Sequence, residues 1–215
     1  MKKVLLLLSI SLIAAVSACQ QKQIEESPLP FFNTADFTPE WIDSNDEAFQ
    51  KIHTINSFAF LDQEGKTITN ETLGGSIYVA DFFFTICPSI CPTMTTNLAS
   101  LQNEFDADEV KLLSFSVMPW ADSVSVLKEY AEVRGIKSNQ WHLLTGETEE
   151  IYDLARKSFF AEKEIGLNKT SNEFLHTENF ILVDKKGRIR GVYNGTLTLE
   201  MTRLKQDINT LLKKG

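Results

Sequence analysis

Hydrophobic residues in this chain fall into short continuous runs that alternate with stretches of helical spacing. The apolar runs at residues 77–84 and 110–117 have the length of buried strands. From Met94 to Phe105, apolar residues recur at spacings of three and four, which predicts a helix with one buried face. Strands that alternate with helices predict an α/β fold in which helices flank a central sheet.

Further elements extend this pattern over residues 52–215 and predict a single domain without internal repeats. An N-terminal hairpin is expected at residues 58–69, with its turn at Gly65. A helix is expected at 123–134, with Val133 on its inner face. The remaining elements are a strand at 141–144, helices at 147–160 and 199–212, a polar loop at 161–173 and a hairpin at 180–193.

Residues 1–18 predict a signal peptide. Lys2 and Lys3 precede an apolar run that is too short to span a membrane. The run ends in Val-Ser-Ala-Cys, which resembles a bacterial lipoprotein cleavage box with Cys19 as the lipid attachment site. Residues 19–51 would then form a lipid-anchored tether. The protein is expected to be a membrane-anchored lipoprotein of the cell envelope that faces the periplasm or the outside.

The rest of the chain is acidic, which excludes one class of partner. The net charge is −8 at pH 7, and loss of Lys2 and Lys3 with the signal peptide makes it more negative. Such a protein is a poor candidate for nucleic-acid binding. If Cys19 carries lipid, the two cysteines that remain are Cys87 and Cys91, in a compartment that permits disulfides.

These two cysteines lie in the sequence Cys-Pro-Ser-Ile-Cys-Pro, where the first predicted strand leads into the first predicted helix. Free N–H groups and the dipole at a helix start favour thiolates, and Pro88 is tolerated as a first helical residue. A spacing of four on a helical turn separates Cα atoms by roughly 6 Å. This spacing suits either a disulfide or a shared soft metal ion. A structural disulfide closing so short a loop adds little stability, so a redox or metal role is expected.

Three separated motifs resemble those of the Sco/SenC family. Phe-Thr-Ile-Cys-Pro-Ser-Ile-Cys-Pro at 84–92 resembles its FTxCPxxCP motif. Phe-Ser-Val-Met-Pro at 115–119, with Asp122, resembles a second block, and Leu-His-Thr at 175–177 resembles a third. The resemblance covers roughly residues 52–212. It implies a thioredoxin-like fold with a mixed sheet, and a copper-binding protein that helps to assemble the dinuclear copper centre of cytochrome c oxidase.

The resemblance also implies a ligand set for copper, as Cu(I) or Cu(II), formed by Cys87, Cys91 and His176. Two thiolates and one imidazole are soft ligands that leave a fourth position open, which favours copper over structural zinc. His53 and His142 are the other histidines, and both are expected to be ordinary surface or edge residues.

The sequence departs from the family pattern at two positions near the expected site. The family usually has aspartate where Met118 and Leu175 stand. A carboxylate beside a metal ligand orients it and tunes its basicity. The two replacements therefore bear on copper affinity and on the preferred oxidation state rather than on the ligands themselves.

Two other functions compete with that of a copper chaperone. A thioredoxin-type thiol–disulfide oxidoreductase would use Cys87 and Cys91 without metal, and the sequence does not separate a copper donor from such a thiol reductant. A peroxidase of the peroxiredoxin type is disfavoured, because that family places its threonine three residues before the reactive cysteine. Here Thr85 stands only two residues before it. The expected partner is the copper-centre subunit of the oxidase or another copper-transfer protein.

Overall fold

A five-stranded mixed sheet lies at the centre of the domain. The computed structural model describes residues 28–161 and 177–214. Its strands are β1 (Phe31–Phe32), β2 (Pro39–Glu40), β3 (Ala59–Leu61), β4 (Thr67–Thr69), β5 (Ile77–Phe83), β6 (Val110–Ser116), β7 (Trp141–Leu144), β8 (Asn179–Val183) and β9 (Ile189–Asn194). The central sheet has the order β7-β6-β5-β8-β9. β5, β6 and β7 run parallel, and β8 pairs antiparallel with both β5 and β9.

Helices and a hairpin cover the two faces of this sheet. The helices are α1 (Cys91–Gln102), α2 (Val124–Arg134), α3 (Thr148–Lys157) and α4 (Thr198–Lys214). α1, α2 and α4 pack on one face, together with the two cysteines. α3 and the β3–β4 hairpin pack on the other face. Because β5 is covered on both sides, all seven of its residues are buried. The predicted α/β arrangement with a mixed central sheet is confirmed.

The first helix begins at Cys91, so Cys87 and Pro88 lie in the turn before the helix. One local prediction, for the second helix, was wrong. In α2, Val133 is 78% exposed, whereas the buried residues are Leu127 and Ala131, one turn apart. Only a narrow stripe of α2 contacts the sheet, and Val133 lies outside it.

The N-terminal segment at residues 28–56, called the strap here, packs along the β9 edge of the domain. β1 pairs with β2 and contacts β9. The Phe31 ring is buried beneath the guanidinium of Arg190, which lies 4.0 Å from the ring centroid. Arg190 also donates hydrogen bonds to the carbonyl oxygens of Leu29 and Pro30, at 2.6 and 2.9 Å. These contacts hold the strap against the sheet.

The sheet has two chemically different ends. At the cysteine pole, β5 and β6 end and α1 begins. At the opposite pole, β5 begins and β8 turns into β9 through residues 184–188. The seven residues of β5 separate the two poles by about 20 Å.

Candidate functional site

Cys87 and Cys91 lie together at the cysteine pole. Cys87 follows β5 in a turn closed by its N–H, which donates to the Phe84 carbonyl at 3.3 Å. Cys91 is the first residue of α1, and Pro92 occupies the start of that helix, where a missing N–H costs no hydrogen bond. Both cysteines are buried and carry free thiols. The turn and the helix start therefore bring both sulfurs to one place.

The surroundings of the two thiols shift their pKa values in opposite directions. Burial opposes ionisation of Cys87, but hydrogen bonds from the Cys91 thiol and from the backbone of Cys91, Ser89 and Ile90 outweigh it. The pKa of Cys87 therefore lies below the usual thiol value. Burial, followed by the hydrogen bond to Cys87, raises the pKa of Cys91 to about 12. Cys87 is therefore the thiol that ionises first, while Cys91 keeps its proton, as expected for a nucleophilic thiol next to a protonated partner.

Asp122 holds the loop that follows β5 and carries Cys87, called the cysteine loop here. Its fully buried carboxylate accepts hydrogen bonds from the Thr85 hydroxyl at 2.5 Å and the Thr85 N–H at 3.2 Å. The Ser116 hydroxyl donates to the same carboxylate at 2.6 Å. A second loop is thereby tied to the cysteine loop. The sequence indicated Asp122 only as part of the second motif, and the N-cap of α2 is the next residue, Ser123.

Asp81 is a second buried carboxyl that sequence analysis missed. It lies on β5, on the face that carries the cysteines, and accepts a hydrogen bond from the Ser114 hydroxyl. The Trp141 indole N–H donates to the same hydroxyl at 2.9 Å. Burial raises the pKa of Asp81 to about 7, against the effect of Ser114, and the charge of Asp81 contributes to the raised pKa of Cys91. An acid inside an otherwise apolar strand was the signal that could have revealed it.

The predicted third ligand, His176, lies outside the described residues, as do Leu175 and Cys19. The described chain resumes at Thr177, two residues before β8. Because β8 runs antiparallel to β5, it begins at the cysteine pole, where β5 ends. Within residues 28–161 and 177–214, no group of three Cys, His, Asp or Glu side chains forms a metal cluster.

The other predicted positions lie around or away from the site. Met118 follows β6 at the cysteine pole and is half-buried, and its N–H donates to the Ser116 hydroxyl at 3.1 Å. The His53 imidazole contacts the Ser158 carbonyl through Nε2 at 2.7 Å. The His142 Nδ1 lies 3.1 Å from an oxygen of Asp62. Both histidines have structural contacts away from the cysteines.

Exposed apolar side chains lie at the cysteine pole on three loops and at the start of α4. Thr85 and Asp122 join the loops that follow β5 and β6, and the Asn97 amide in α1 donates to the Gly195 carbonyl after β9 at 2.7 Å. Because the loops follow β5, β6 and β9, they meet at one end of the sheet. We call the exposed apolar side chains of these loops and of the first turn of α4 the apolar rim: Ile86, Trp120, Leu197 and Leu199, which are 66%, 63%, 52% and 76% exposed.

The site can therefore perform two kinds of chemistry. A thiolate beside a thiol can attack a disulfide and close a disulfide of its own. The same two sulfurs are soft donors that suit copper, which small thiolate sites prefer over hard cations. Neither sulfur needs to move far, because both are held at one helix start.

The comparison with known proteins identifies the family. The family model described as SCO1/SenC matches residues 46–213. The chain belongs to the SCO1/SenC family. The resemblance and the thioredoxin-like fold that the motifs indicated are confirmed.

Solved structures of other family members have the same fold. BsSco, a member of the Sco family of cytochrome c oxidase assembly proteins with a disulfide switch, is 32% identical, with a TM-score of 0.63 over 75% of this chain and 95% of BsSco. A SCO1/SenC family lipoprotein from Bacillus anthracis is 30% identical, with a TM-score of 0.63 over 74% of this chain and 95% of its own. ScoI from Bradyrhizobium japonicum with copper bound is 25% identical, with a TM-score of 0.55 over 74% of this chain and 99% of its own.

None of the helices in the described part of this family member has both the length and the apolar character needed to cross a membrane.

Proposed function

We infer that this protein binds copper and delivers it to the dinuclear copper centre of cytochrome c oxidase, or keeps the thiols of that centre reduced. The observation that carries this proposal is the pair of buried, free and unequally acidic thiols at the start of α1. The family supports it, since BsSco is an oxidase assembly protein and the Bradyrhizobium relative binds copper.

The proposed copper ligands are Cys87, Cys91 and His176. The two sulfurs supply soft donors. The course of β8 supports the third ligand, because His176 directly precedes Thr177 in the sequence and β8 begins two residues later, at the end of the sheet that holds the cysteines. A set of two thiolates and one imidazole leaves a fourth position open. Copper could then pass to a partner by exchange of one ligand at a time.

The same pair makes copper loading sensitive to redox state. Oxidation of both thiols forms one S–S bond and releases two protons and two electrons, which would reduce a partner's disulfide to two thiols. Copper would be excluded from the oxidised protein because both sulfur donors are then used. The disulfide switch of BsSco supports this link.

The proposed domain organisation places this chemistry outside the cytoplasm. Residues 1–18 form the signal peptide, Cys19 carries the lipid, residues 19–51 are the tether and residues 52–215 form the domain. The cleavage-box sequence supports this organisation, as does the lipoprotein relative from Bacillus anthracis. The active face would be presented to the periplasm or the outside.

A second candidate function is metal-free thiol–disulfide exchange. The lowered pKa of the Cys87 thiol, beside the raised pKa of Cys91, favours it, since attack on a disulfide needs a thiolate. This function requires only the two cysteines, whereas copper binding requires the histidine as well.

Copper loading distinguishes the two functions. The reduced full-length protein is titrated with Cu(I) and Cu(II), alongside Cys87→Ser, Cys91→Ser and His176→Ala. We expect one copper per chain, lost in either cysteine variant and weakened about tenfold or more in the histidine variant. His53→Ala is the matched control and should bind copper normally.

Unchanged copper affinity in His176→Ala would remove the three-ligand site. Turnover of a disulfide substrate without metal, equal in the wild type and in His176→Ala, would instead support the oxidoreductase.

A further inference from the structure

A cavity of about 280 Å³ lies at the opposite pole, at the other end of β5 from the cysteines. Its walls are the end of the strap, the loop at residues 70–76 and the β8–β9 turn at 184–187. The Ile55 N–H donates to the Gly187 carbonyl at 2.7 Å, which ties the strap to the turn. The cavity is therefore built from three segments that the fold holds together.

One wall of this cavity contains a buried hydroxyl that lacks a partner. Tyr78 extends from β5 and lines the cavity, and its side chain is 4% exposed. Among the residues that the structure describes, its hydroxyl has no hydrogen-bond partner. Burial and the nearby charge of Asp184 raise the pKa of Tyr78 above its usual value, so the group stays protonated. It is a donor that needs an acceptor.

Asp184 cannot be that acceptor, because its carboxylate is already occupied. It accepts hydrogen bonds from Arg188 Nε at 2.9 Å and Arg190 Nη1 at 3.1 Å. It also accepts from the backbone N–H groups of Lys186 and Arg188, at 2.9 and 3.1 Å. Two positively charged guanidinium groups thus contact one buried carboxylate. The group as a whole carries a net positive charge.

The other polar side chains that line the cavity are two lysines, two hydroxyl groups and one amide, whose oxygen already accepts a hydrogen bond. Lys185 and Lys186 line the cavity, and neither ammonium group forms an ion pair within residues 28–161 and 177–214. Thr54 in the strap and Ser76 in the 70–76 loop add the hydroxyl groups. This concentration of donors and positive charge stands out in a chain whose net charge is −8. A ligand that satisfies it must bring acceptors and negative charge.

We propose that this cavity binds a small phosphate-bearing anion, with the Tyr78 hydroxyl donating to a phosphate oxygen and Lys185 and Lys186 balancing its charge. The volume suits an anion with a few waters and is below that of most drug-sized ligand sites. The anion is either free phosphate or a lipid headgroup. A headgroup is within reach, because the chain from Cys19 to Pro28 spans at most about 30 Å.

The first test is a titration of the full-length protein in detergent with inorganic phosphate, at fixed ionic strength. Binding is followed by the rise in Tm and by the NMR amide shifts of Gly75, Ser76 and Gly187. We expect a saturable response that weakens at least about tenfold in the double variant Lys185→Gln/Lys186→Gln. The matched control is Lys66→Gln/Lys137→Gln, which removes two exposed lysines elsewhere and should leave the affinity unchanged.

Tyr78→Phe provides an independent readout. Without phosphate, this variant should have a higher Tm than the wild type, because it removes a buried hydroxyl that lacks a partner. With phosphate, its affinity should fall about threefold to tenfold. A higher Tm with unchanged phosphate affinity would overturn the site.

Two further arms distinguish the sources of the anion. Vesicles of phosphatidylglycerol and of phosphatidylcholine are compared by hydrogen exchange at residues 73–76 and 185–187, using the lipid-reconstituted protein. If these amides are protected by phosphatidylglycerol vesicles but not by phosphatidylcholine vesicles, the ligand is a lipid headgroup. If they exchange equally with both vesicles and phosphate binding is saturable, the ligand is free phosphate. Absence of any response to phosphate and to both vesicles would overturn the proposal, whatever the outcome of the copper experiment.

Discussion

Asp81 shows how a single residue can link the site to the pH of its surroundings. Its carboxyl is buried in β5, and burial raises its pKa to about 7. In the unfolded chain an aspartate titrates near about 3.9. Between these values the folded protein retains a proton that the unfolded chain has lost. The free energy of unfolding therefore falls as the pH rises from about 4 to 7 and levels off above that range.

Asp81→Asn should remove this pH dependence. We expect the free energy of unfolding of the wild type to fall by about 2–3 kcal/mol more than that of the variant between pH 5 and pH 8. Urea denaturation at several pH values measures both slopes. Asp153→Asn, which alters an exposed carboxylate paired with Lys157, should keep the wild-type slope. Equal slopes in the wild type and Asp81→Asn would show that Asp81 is ionised in the folded protein throughout this range.

At the scale of elements, the position of the cysteines depends on where α1 begins. The helix starts at Cys91, and the preceding turn carries Cys87. Such a turn has few hydrogen bonds of its own, so it depends on Asp122, which binds Thr85 through both its N–H and its hydroxyl. The loop that holds Cys87, a proposed copper ligand, is thus positioned by a side chain that belongs to another loop.

Asp122→Asn should loosen this connection. The amide presents N–H groups to donors, so we expect the free energy of unfolding to fall by about 1–3 kcal/mol. Copper affinity should fall as well, because Cys87 is less firmly positioned. Thermal denaturation and copper titration measure the two effects.

Ser123→Ala is the matched control for this prediction. It removes the side-chain cap of α2, at a cost of about 1 kcal/mol. It should destabilise the protein but leave copper affinity unchanged. If both variants altered copper affinity in proportion to stability, Asp122 would have no specific role in positioning the site.

At the scale of the whole molecule, one pole of the sheet carries exposed apolar side chains and the opposite pole carries charged ones. The apolar rim surrounds the cysteines, whereas arginines and lysines concentrate around Asp184 at the opposite pole. Exposed aromatic and aliphatic side chains next to a reactive site are typical of a protein-binding surface. A protein partner, unlike a small reagent, would have to dock on this rim to reach the recessed cysteines.

Trp120→Asp should therefore slow exchange with a protein partner but not with a small reagent. We expect copper transfer to the soluble copper-centre domain of the oxidase to slow about tenfold or more. The reaction of the thiols with a small disulfide reagent should be unchanged. Trp41→Asp is the matched control, since Trp41 is 62% exposed and Trp120 is 63% exposed. Equal transfer rates in both variants would exclude the rim as the docking surface.

Local patterns predicted most of the fold. β5 and β6 were expected from apolar runs, and the hairpin before β5 was expected from its turn at Gly65. These predictions succeeded because the apolar residues on the buried face of a strand or helix recur at a regular spacing in the sequence. The prediction that Val133 is buried was wrong, because the number of helix residues that are covered depends on what packs against the helix.

The sequence by itself determined the family, the order of the elements and the pairing of the two cysteines, because each motif and each element can be identified from its own short stretch of residues. Tertiary structure alone decided the roles of Asp81, Asp122 and Tyr78, whose partners come from other strands and loops. The reason is physical. The effect of a buried polar group depends on which donors, acceptors and charges surround it, and folding brings these together from distant parts of the chain.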